Sequence, residues 1–549
     1  MKKQLLMALI MVPLFNFAQV TLVKDINPGV YQGIRLEGVR GDAEIIAFQN
    51  QILFQGTIGR EGSVGSGREL HVSDGTLNGT NLLKDLRPGS LSSTPKNFFY
   101  RSLTDEIYFS ASPGSIRKLF KTDGTNAGTV MVTTLFNDPR RFIEYDNRVF
   151  FNSGNNNVAM GTEFSFTNGS LLHGSYDLNQ YAPSGNSQSS DPGNYTVYNG
   201  SLYFSANFNN SNSTTTAKGR ELGISDGTFL TTGLFRDINL GANGSDPNHF
   251  TVFNNKLYFT ADNGTNGREI WVTDGFILGT GLLQDLNPGS NGSNPQNLTV
   301  VGNRLYFSAD NGTNGNELYY MTTSENIVLY KDINSGAGSS SPTKFINRGN
   351  TLFFSADNGI NGRELWSADG TVFGVNMVKD INPGAGNSDP AYFELYNNKL
   401  YFSANNGTNG IELFVSNGNA QSTTMLEDIN PGPASGDPRA LTVSNNILFF
   451  HADNGSIGRE LWKYLDPALS VTQNDIEKFQ LYPNPTKNSF NIAHNGLIDS
   501  VEIYDINGKK ILQFDEEIPS YNIEKLDAGM YFVKINSAST TQTIKLIKK

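Results

Sequence analysis

Four loop acids are the residues of this chain best placed to do chemistry. Asp262, Asp310, Asp357 and Asp453 each precede Asn-Gly, and a glutamate follows seven residues after each, at Glu269, Glu317, Glu364 and Glu460. Oxygen-rich loops suit Ca²⁺, a hard cation that takes carboxylate and carbonyl ligands. These four are weak calcium candidates and the only metal candidates in the chain. The alternating carboxylates of an EF-hand loop are absent, and Asn405 fills the aspartate slot in one copy. The competing reading is an Asx-turn, in which the side chain bonds its own loop backbone.

Catalytic residues are harder to find. The five histidines, His71, His173, His249, His451 and His494, are scattered. No nucleophile elbow, zinc helix or phosphate loop accompanies them. There is no cysteine, which removes disulfides, thiolate metal sites and a thiol nucleophile. No catalytic or cofactor-binding residue is assigned. Paired carboxylates meeting at a central channel remain the one open route to glycoside chemistry. The pairs Arg220-Glu221, Arg268-Glu269, Arg363-Glu364 and Arg459-Glu460 recur. Chemistry is normally done once per site, so a pair in every unit reads as scaffold that bonds and packs between units. Trp271, Trp366 and Trp462 share one slot, filled elsewhere by Phe120, Tyr319 and Phe414, and read as core.

These residues are positioned by a repeat. The glutamate falls at Glu69, Glu163, Glu221, Glu269, Glu317, Glu364, Glu412 and Glu460, with Lys118 in its place once. From Glu221 onward the steps are 48, 48, 47, 48 and 48 residues. Such a period marks one supersecondary unit that buries its apolar face against its neighbours. Within a unit, Leu234 to Ile238, Phe250 to Phe253, Lys256 to Ala261 and Glu269 to Thr273 read as four strands. Asn254-Asn255 and Asp274-Gly275 supply turns. Leu257-Tyr-Phe-Thr-Ala and Leu305-Tyr-Phe-Ser-Ala do not alternate, so that strand is covered on both faces. Radially arranged four-stranded sheets provide such cover. The expectation is an all-β chain with a closed β-propeller of about nine blades, eight being the runner-up because units two and three are degenerate. Val20 to Ile26 has no Glu-Leu-Trp strand before it, and Glu460 to Tyr464 has no Asp-Ile-Asn strand after it. The first strand can therefore complete the last blade and remove the open edges.

Loop parity follows from that arrangement. The Asp-Ile-Asn-Pro-Gly and Asp-Asn-Gly-Thr-Asn-Gly loops share one face, and the hairpins and Asp-Gly turns share the other. The longer units insert on the first face, with extra residues at Gly59 to Ser66 and Asn209 to Ala217. Loops that outgrow the scaffold are where recognition usually sits, so that face is expected to bind the ligand.

Composition narrows the partners. The chain has 549 residues, a formal charge of −11 and 37% hydrophobic residues, enough to bury a large interior. No clustered basic surface is visible in the sequence, which sets nucleic acid aside. Lys2-Lys3, the apolar run Leu5 to Phe17 and the small-residue cut at Ala18-Gln19 read as a secretory signal peptide over 1–18, leaving no transmembrane segment in the mature chain. The repeat array then spans 20–466 and a linker 467–477.

Residues 478–549 read as a small β-sandwich with strands Ser489 to Ala493, Ser500 to Tyr504, Lys510 to Phe514 and Gly529 to Ile535. This tail resembles the type A C-terminal sorting domain of the type IX secretion system of Bacteroidota. The resemblance rests on Tyr482-Pro-Asn-Pro485, Val501-Glu-Ile-Tyr-Asp-Ile-Asn-Gly508, Leu526-Asp-Ala-Gly-Met-Tyr-Phe532 and the basic end Lys545 to Lys549. It implies handling by the type IX machinery, passage across the outer membrane, removal of the tail, and release or surface attachment. The repeats resemble the ELWxxDGT family through Glu269-Ile-Trp-Val-Thr-Asp-Gly275 and Glu364-Leu-Trp-Ser-Ala-Asp-Gly-Thr371. The function expected is a secreted or cell-surface binding or adhesion protein for a glycan or protein ligand, without chemistry or cofactor of its own. The alternative is an extracellular polysaccharide hydrolase or lyase on the same scaffold.

Overall fold

The structure, a computed structural model, describes residues 19–28, 33–34, 44–58, 67–89, 91–155, 161–170, 172–179, 189–208, 217–467, 479–493, 498–506, 508–516, 518–536 and 541–549. The segment 1–18 expected to be a signal peptide, most of the expected linker 467–477, His494 and residues 59–66 and 209–216 of the expected insertions lie outside the described residues. The chain divides into two compact units between Asp466 and Pro467.

The first unit is built from strands alone, apart from one 3₁₀ turn at Phe229–Thr231 among the described residues. Its described residues form nine four-stranded antiparallel sheets. In the fifth, Asn248–Phe253, Lys256–Asp262, Arg268–Thr273 and Gly281–Gln284 pair in that order. Asn254 and Asn255 hold φ of 45° and 58°, the type I′ geometry that matches the twist of the flanking strands. Asp274 then accepts the Phe276 N–H at 3.0 Å, and Thr280 bonds both Thr273 and the Phe276 carbonyl, fixing the outer turn.

The apolar second strand works on both of its faces. Leu257, Phe259 and Ala261 pack with Tyr198, Tyr203 and Leu222 of the preceding sheet. Tyr258, with Phe253 and Ile270, packs on Leu305 and Phe307 of the following one. Each such side chain, fully buried, contributes roughly 1.5–3 kcal/mol, and the core is a series of inter-sheet layers. The Asp-Ile-Asn strand pairs as the outermost strand of the sheet before it, so every repeat straddles two sheets.

The ends of the array meet in one sheet. Gln19–Lys24 pairs antiparallel with Arg459–Leu465, with Val20 opposite Tyr464 and Leu22 opposite Trp462. The first strand of each sheet lies against the first strand of the next, and Arg439–Ser444 of the last lies against Ile45–Phe48 of the first. Ser444 Oγ donates to the Gln51 carbonyl at 2.8 Å, and Lys463 Nζ to that of Gly75 at 2.7 Å. The sheets built from the two degenerate units, Lys96–Arg101 to Val130–Thr133 and Phe136–Tyr145 to His173–Tyr176, keep the four-stranded pattern.

The second unit has a three-stranded sheet, Gln480–Tyr482, Ser489–Ala493 and Tyr521–Asn522, and a four-stranded one of Lys510–Phe514, Ser500–Tyr504, Gly529–Asn536 and Thr541–Lys548. Phe490 and Tyr521 from the first and Val501, Ile503, Val533, Ile535 and Leu546 from the second share one core. Asn507, within the Val501 to Gly508 motif of the tail, lies outside the described residues.

Candidate functional site

The repeated glutamate is a buried tie. Glu317, on Asn316–Thr322, accepts the Ile333 N–H at 2.7 Å, the Ser340 N–H at 2.7 Å and the Ser340 hydroxyl at 2.6 Å. Those donors belong to the crossover that leaves this sheet for the next. The bonds recur from Ile238 N, Asn239 N and Ser245 Oγ to Glu221, and from Ile381 N and Ser388 Oγ to Glu364. In the last sheet the donors are Ile26 N at 2.9 Å and Gly33 N at 2.7 Å, both to Glu460. At the one unit without the acid, the polarity inverts: Lys118 Nζ donates to the Thr134 carbonyl in the corresponding crossover and to Asn137 Oδ1 at the start of the next strand.

Burial sets the electrostatics of these acids. It pushes the Glu163 and Glu460 carboxyls up to about 8 and those of Glu221, Glu364 and Glu412 to about 7, against hydrogen bonds that pull the other way. Glu69, Glu269 and Glu317 are raised for the same reason. The neighbouring arginine does not pair with its glutamate, because successive strand residues point to opposite faces. Arg268 instead donates to the carbonyls of Asp246 at 2.8 Å and Thr260 at 3.3 Å. The tryptophan slot is core: Trp366 and Trp462 donate to the carbonyls of Ala356 and Ala452.

Each of the four calcium candidates sits in an Asx-turn. Asp262, Asp310 and Asp357 accept the N–H of Gly264, Gly312 and Gly359 at 2.7 Å, and Asp453 that of Gly455 at 2.8 Å. Asn405 makes the same bond to Gly407 at 2.8 Å. The four lie in four different sheets, and no group of three or more acidic or histidine side chains able to hold a metal occurs among the described residues. The loop's second asparagine pins the crossover: Asn266, Asn314, Asn361 and Asn409 donate to Asp285, Asp332, Asp380 and Asp428 at 2.6 to 2.9 Å. The two loop families therefore do share one face, the crossover face.

The described histidines remain apart. His71 and His451 are buried in the first and last sheets, His173 lies on the third and His249 on the fifth. Two features escape the sequence. Glu394, on the first strand Ala391–Tyr396 of its sheet, has its carboxyl pushed up to about 7 by burial, opposed by a bond from the Val443 N–H. The fold also gathers a basic cluster on the crossover face, around Arg140 and Arg141. Arg140 lies within 3.7 Å of Asp138 and 3.4 Å of Asp191, and Arg141 within 3.4 Å of Asp191.

The second unit has the two-sheet core and the basic last strand that the tail motifs demand. Residues 480–549 match the model of the secretion system C-terminal sorting domain. That tail marks proteins delivered to the cell surface or the extracellular space by the type IX system, and places this protein there. No helix among the described residues is long and apolar enough to cross a membrane. No curated protein matches the chain. Among solved structures, it is similar to PorZ, a surface component of the type IX secretion system of Porphyromonas gingivalis. That likeness has 12% identity over 94% of this chain and 76% of the other, at a TM-score of 0.33. It is similar to the extracellular domain of the one-component system protein BT4673 of B. thetaiotaomicron at 11% identity, over 94% and 76% of the two chains and with a TM-score of 0.34. It is also similar to the β-propeller domain of the Trilobed protease of Pyrococcus furiosus at 9% identity, over 61% and 97% and with a TM-score of 0.30.

Proposed function

We propose that the protein is a cell-surface binding module: a closed nine-bladed propeller of ELWxxDGT-type repeats over 20–466, behind a cleaved leader at 1–18. A linker over 467–477 joins it to a sorting tail over 478–549. The observation that carries the reading is the use made of the acids with raised proton affinity. Eight of them are ties between a sheet and its outgoing crossover, which is scaffold work, while departures from the repeat gather on the crossover face. A scaffold tied by the same acid in every blade but one, with one face free to vary, suits recognition of an extracellular glycan or protein.

The test uses the protein without its tail, presented to glycan and cell-surface arrays. Saturable binding to a defined ligand is expected. A blank array together with release of reducing ends from a polysaccharide would favour the second reading, an extracellular hydrolase or lyase. That reading draws on Glu394, whose raised carboxyl suits a general acid. Loss of such turnover in Glu394→Gln would assign the role.

A further inference from the structure

Within the crossover face, one sheet breaks the pattern. Its first strand, Phe136–Tyr145, has ten residues where its counterparts have at most six, and two register shifts where they have at most one. Such bulges re-aim side chains. Asp138 and Arg141 hold φ of 48° and 58°, as Asp246 and His249 do at 47° and 54° in the fifth sheet, so the backbone here keeps the turn of the repeat and the side chains are what differ. Slots held by Asn248 and His249 in the fifth sheet hold Arg140 and Arg141 here.

The two guanidiniums are not used up by the fold. Arg140 has Asn152 Oδ1 at 3.2 Å and Asp191 at 3.4 Å; Arg141 has Asp191 at 3.4 Å and the Pro192 carbonyl at 3.3 Å. All of these are longer than the roughly 2.7–2.9 Å of a committed charge-assisted bond. Asp191 is shared with a third guanidinium, Arg220, at 3.8 Å, and Asp138 with Arg117 at 3.9 Å. Four arginines thus surround two carboxylates, with Asp246 a further acid felt by Arg220. The corresponding position of the last sheet is closed by contrast: Asp437 is held by Arg439 at 2.8 Å and Arg459 at 2.7 Å.

Two neighbours make this a shaped place. Gly193 leaves room for Arg141, since a methyl group there would lie 2.6 Å from its Nη1. The Tyr195 hydroxyl is buried with no hydrogen-bond partner among the described residues, and Arg141, Asp191, Arg220 and Glu163 are its charged neighbours. The side chains of Arg140 and Arg141 are 41% and 44% exposed, so a ligand reaches them from solvent.

We propose that Arg140 and Arg141 form an anion-binding site for the acidic groups of an extracellular polysaccharide. Planar guanidiniums take a carboxylate or sulfate oxyanion through paired N–H donors, a geometry that lysine lacks. The inference rests on the surface-binding reading and narrows its ligand class. Delivery to the cell surface or the extracellular space favours an acidic polysaccharide over a nucleic acid as the polyanion met there.

The experiment measures binding of the tail-less protein to polygalacturonate, dextran sulfate and unmodified dextran by calorimetry. Binding to an acidic polymer and not to dextran is expected, weakening as NaCl rises from about 0.05 M to about 0.5 M. Which acidic polymer binds tells uronate from sulfate ester. Arg140→Gln and Arg141→Gln should each lower affinity about 10- to 100-fold, the range for one charged hydrogen-bond partner. Arg304→Gln, away from the cluster, should not. Gly193→Ala keeps every charge and should still weaken binding by displacing Arg141. Circular dichroism melts confirm that each variant folds. Equal affinity of the arginine variants and the parent, or no binding to either acidic polymer, overturns the site. In that event a positive cell-surface array leaves the wider binding reading standing, and a blank one removes both.

Discussion

Replacing Glu460 by glutamine should change stability in opposite directions at low and high pH. The native side chain accepts Ile26 N on one oxygen and Gly33 N on the other. Glutamine keeps the shape but offers one acceptor, so an N–H is left facing an amide NH₂ at a cost of about 1–3 kcal/mol. The cost persists at low pH, where the parent carboxyl is protonated, because its hydroxyl oxygen still accepts through a lone pair and an amide NH₂ does not. Against it stands ionisation. Burial raises the folded carboxyl from 4.5 to about 8. The folded state therefore holds its proton more tightly than the unfolded chain. The stability this confers is complete below the unfolded value and is lost as pH rises through about 8. At about 1.4 kcal/mol per pH unit, ionising Glu460 in place costs on the order of 4–5 kcal/mol, and glutamine escapes it. Glu460→Gln should thus be less stable than the parent near pH 5 and more stable near pH 9, with a crossing between them. Urea unfolding followed by tryptophan fluorescence gives the difference, and hydrogen exchange of residues 20–26 shows whether the closing strand is the part affected. A constant deficit at every pH would refute the reasoning and mean that the two N–H donors hold the group as a carboxylate. The parent protein should itself lose stability over the same range, because seven more buried acids follow the same sign.

Asp310→Asn should change stability by no more than about 0.5 kcal/mol, since Asn405 already makes the same turn bond. Millimolar Ca²⁺ should likewise leave the melting temperature unmoved, whereas a site filled at a hundred times its Kd would add about 2.7 kcal/mol. Phe307→Ala should cost about 3–5 kcal/mol by urea titration, because its ring is wholly buried between two sheets. Deleting residues 480–549 should leave the protein inside the cell envelope, scored by fractionation and surface labelling.

The array was legible because its physics is local and repeated. A strand with no polar face announces cover on both sides, and paired asparagines announce a tight hairpin. Glu269 was recognisable as scaffold from recurrence alone, but its partner was not: the Ser293 donor lies 24 residues ahead, in a loop whose path only the fold fixes. The Asn266 bond to Asp285 was hidden in the same way. Arg140 and Arg141 stand next to each other in the sequence with no motif to single them out. Their company comes from three sheets, and the bulges that aim them leave no mark in composition. Glu394 was invisible for a related reason, since a lone acid in a strand acquires its unusual proton affinity from surroundings.

The pairing of Val20 with Tyr464 makes the beginning and end of the array neighbours in space. The Ile26 and Glu460 partners are separated by 434 residues, so the strand that is synthesised first must wait for almost the last before it has a place to settle. Until then the leading segment is an unmatched ribbon that chaperones or proteases can engage. Once joined, the order of the sheets no longer depends on where translation began. A chain circularly permuted to start at any of the intervening crossovers, with Lys24 linked onward as before and new termini elsewhere, should reach the same fold.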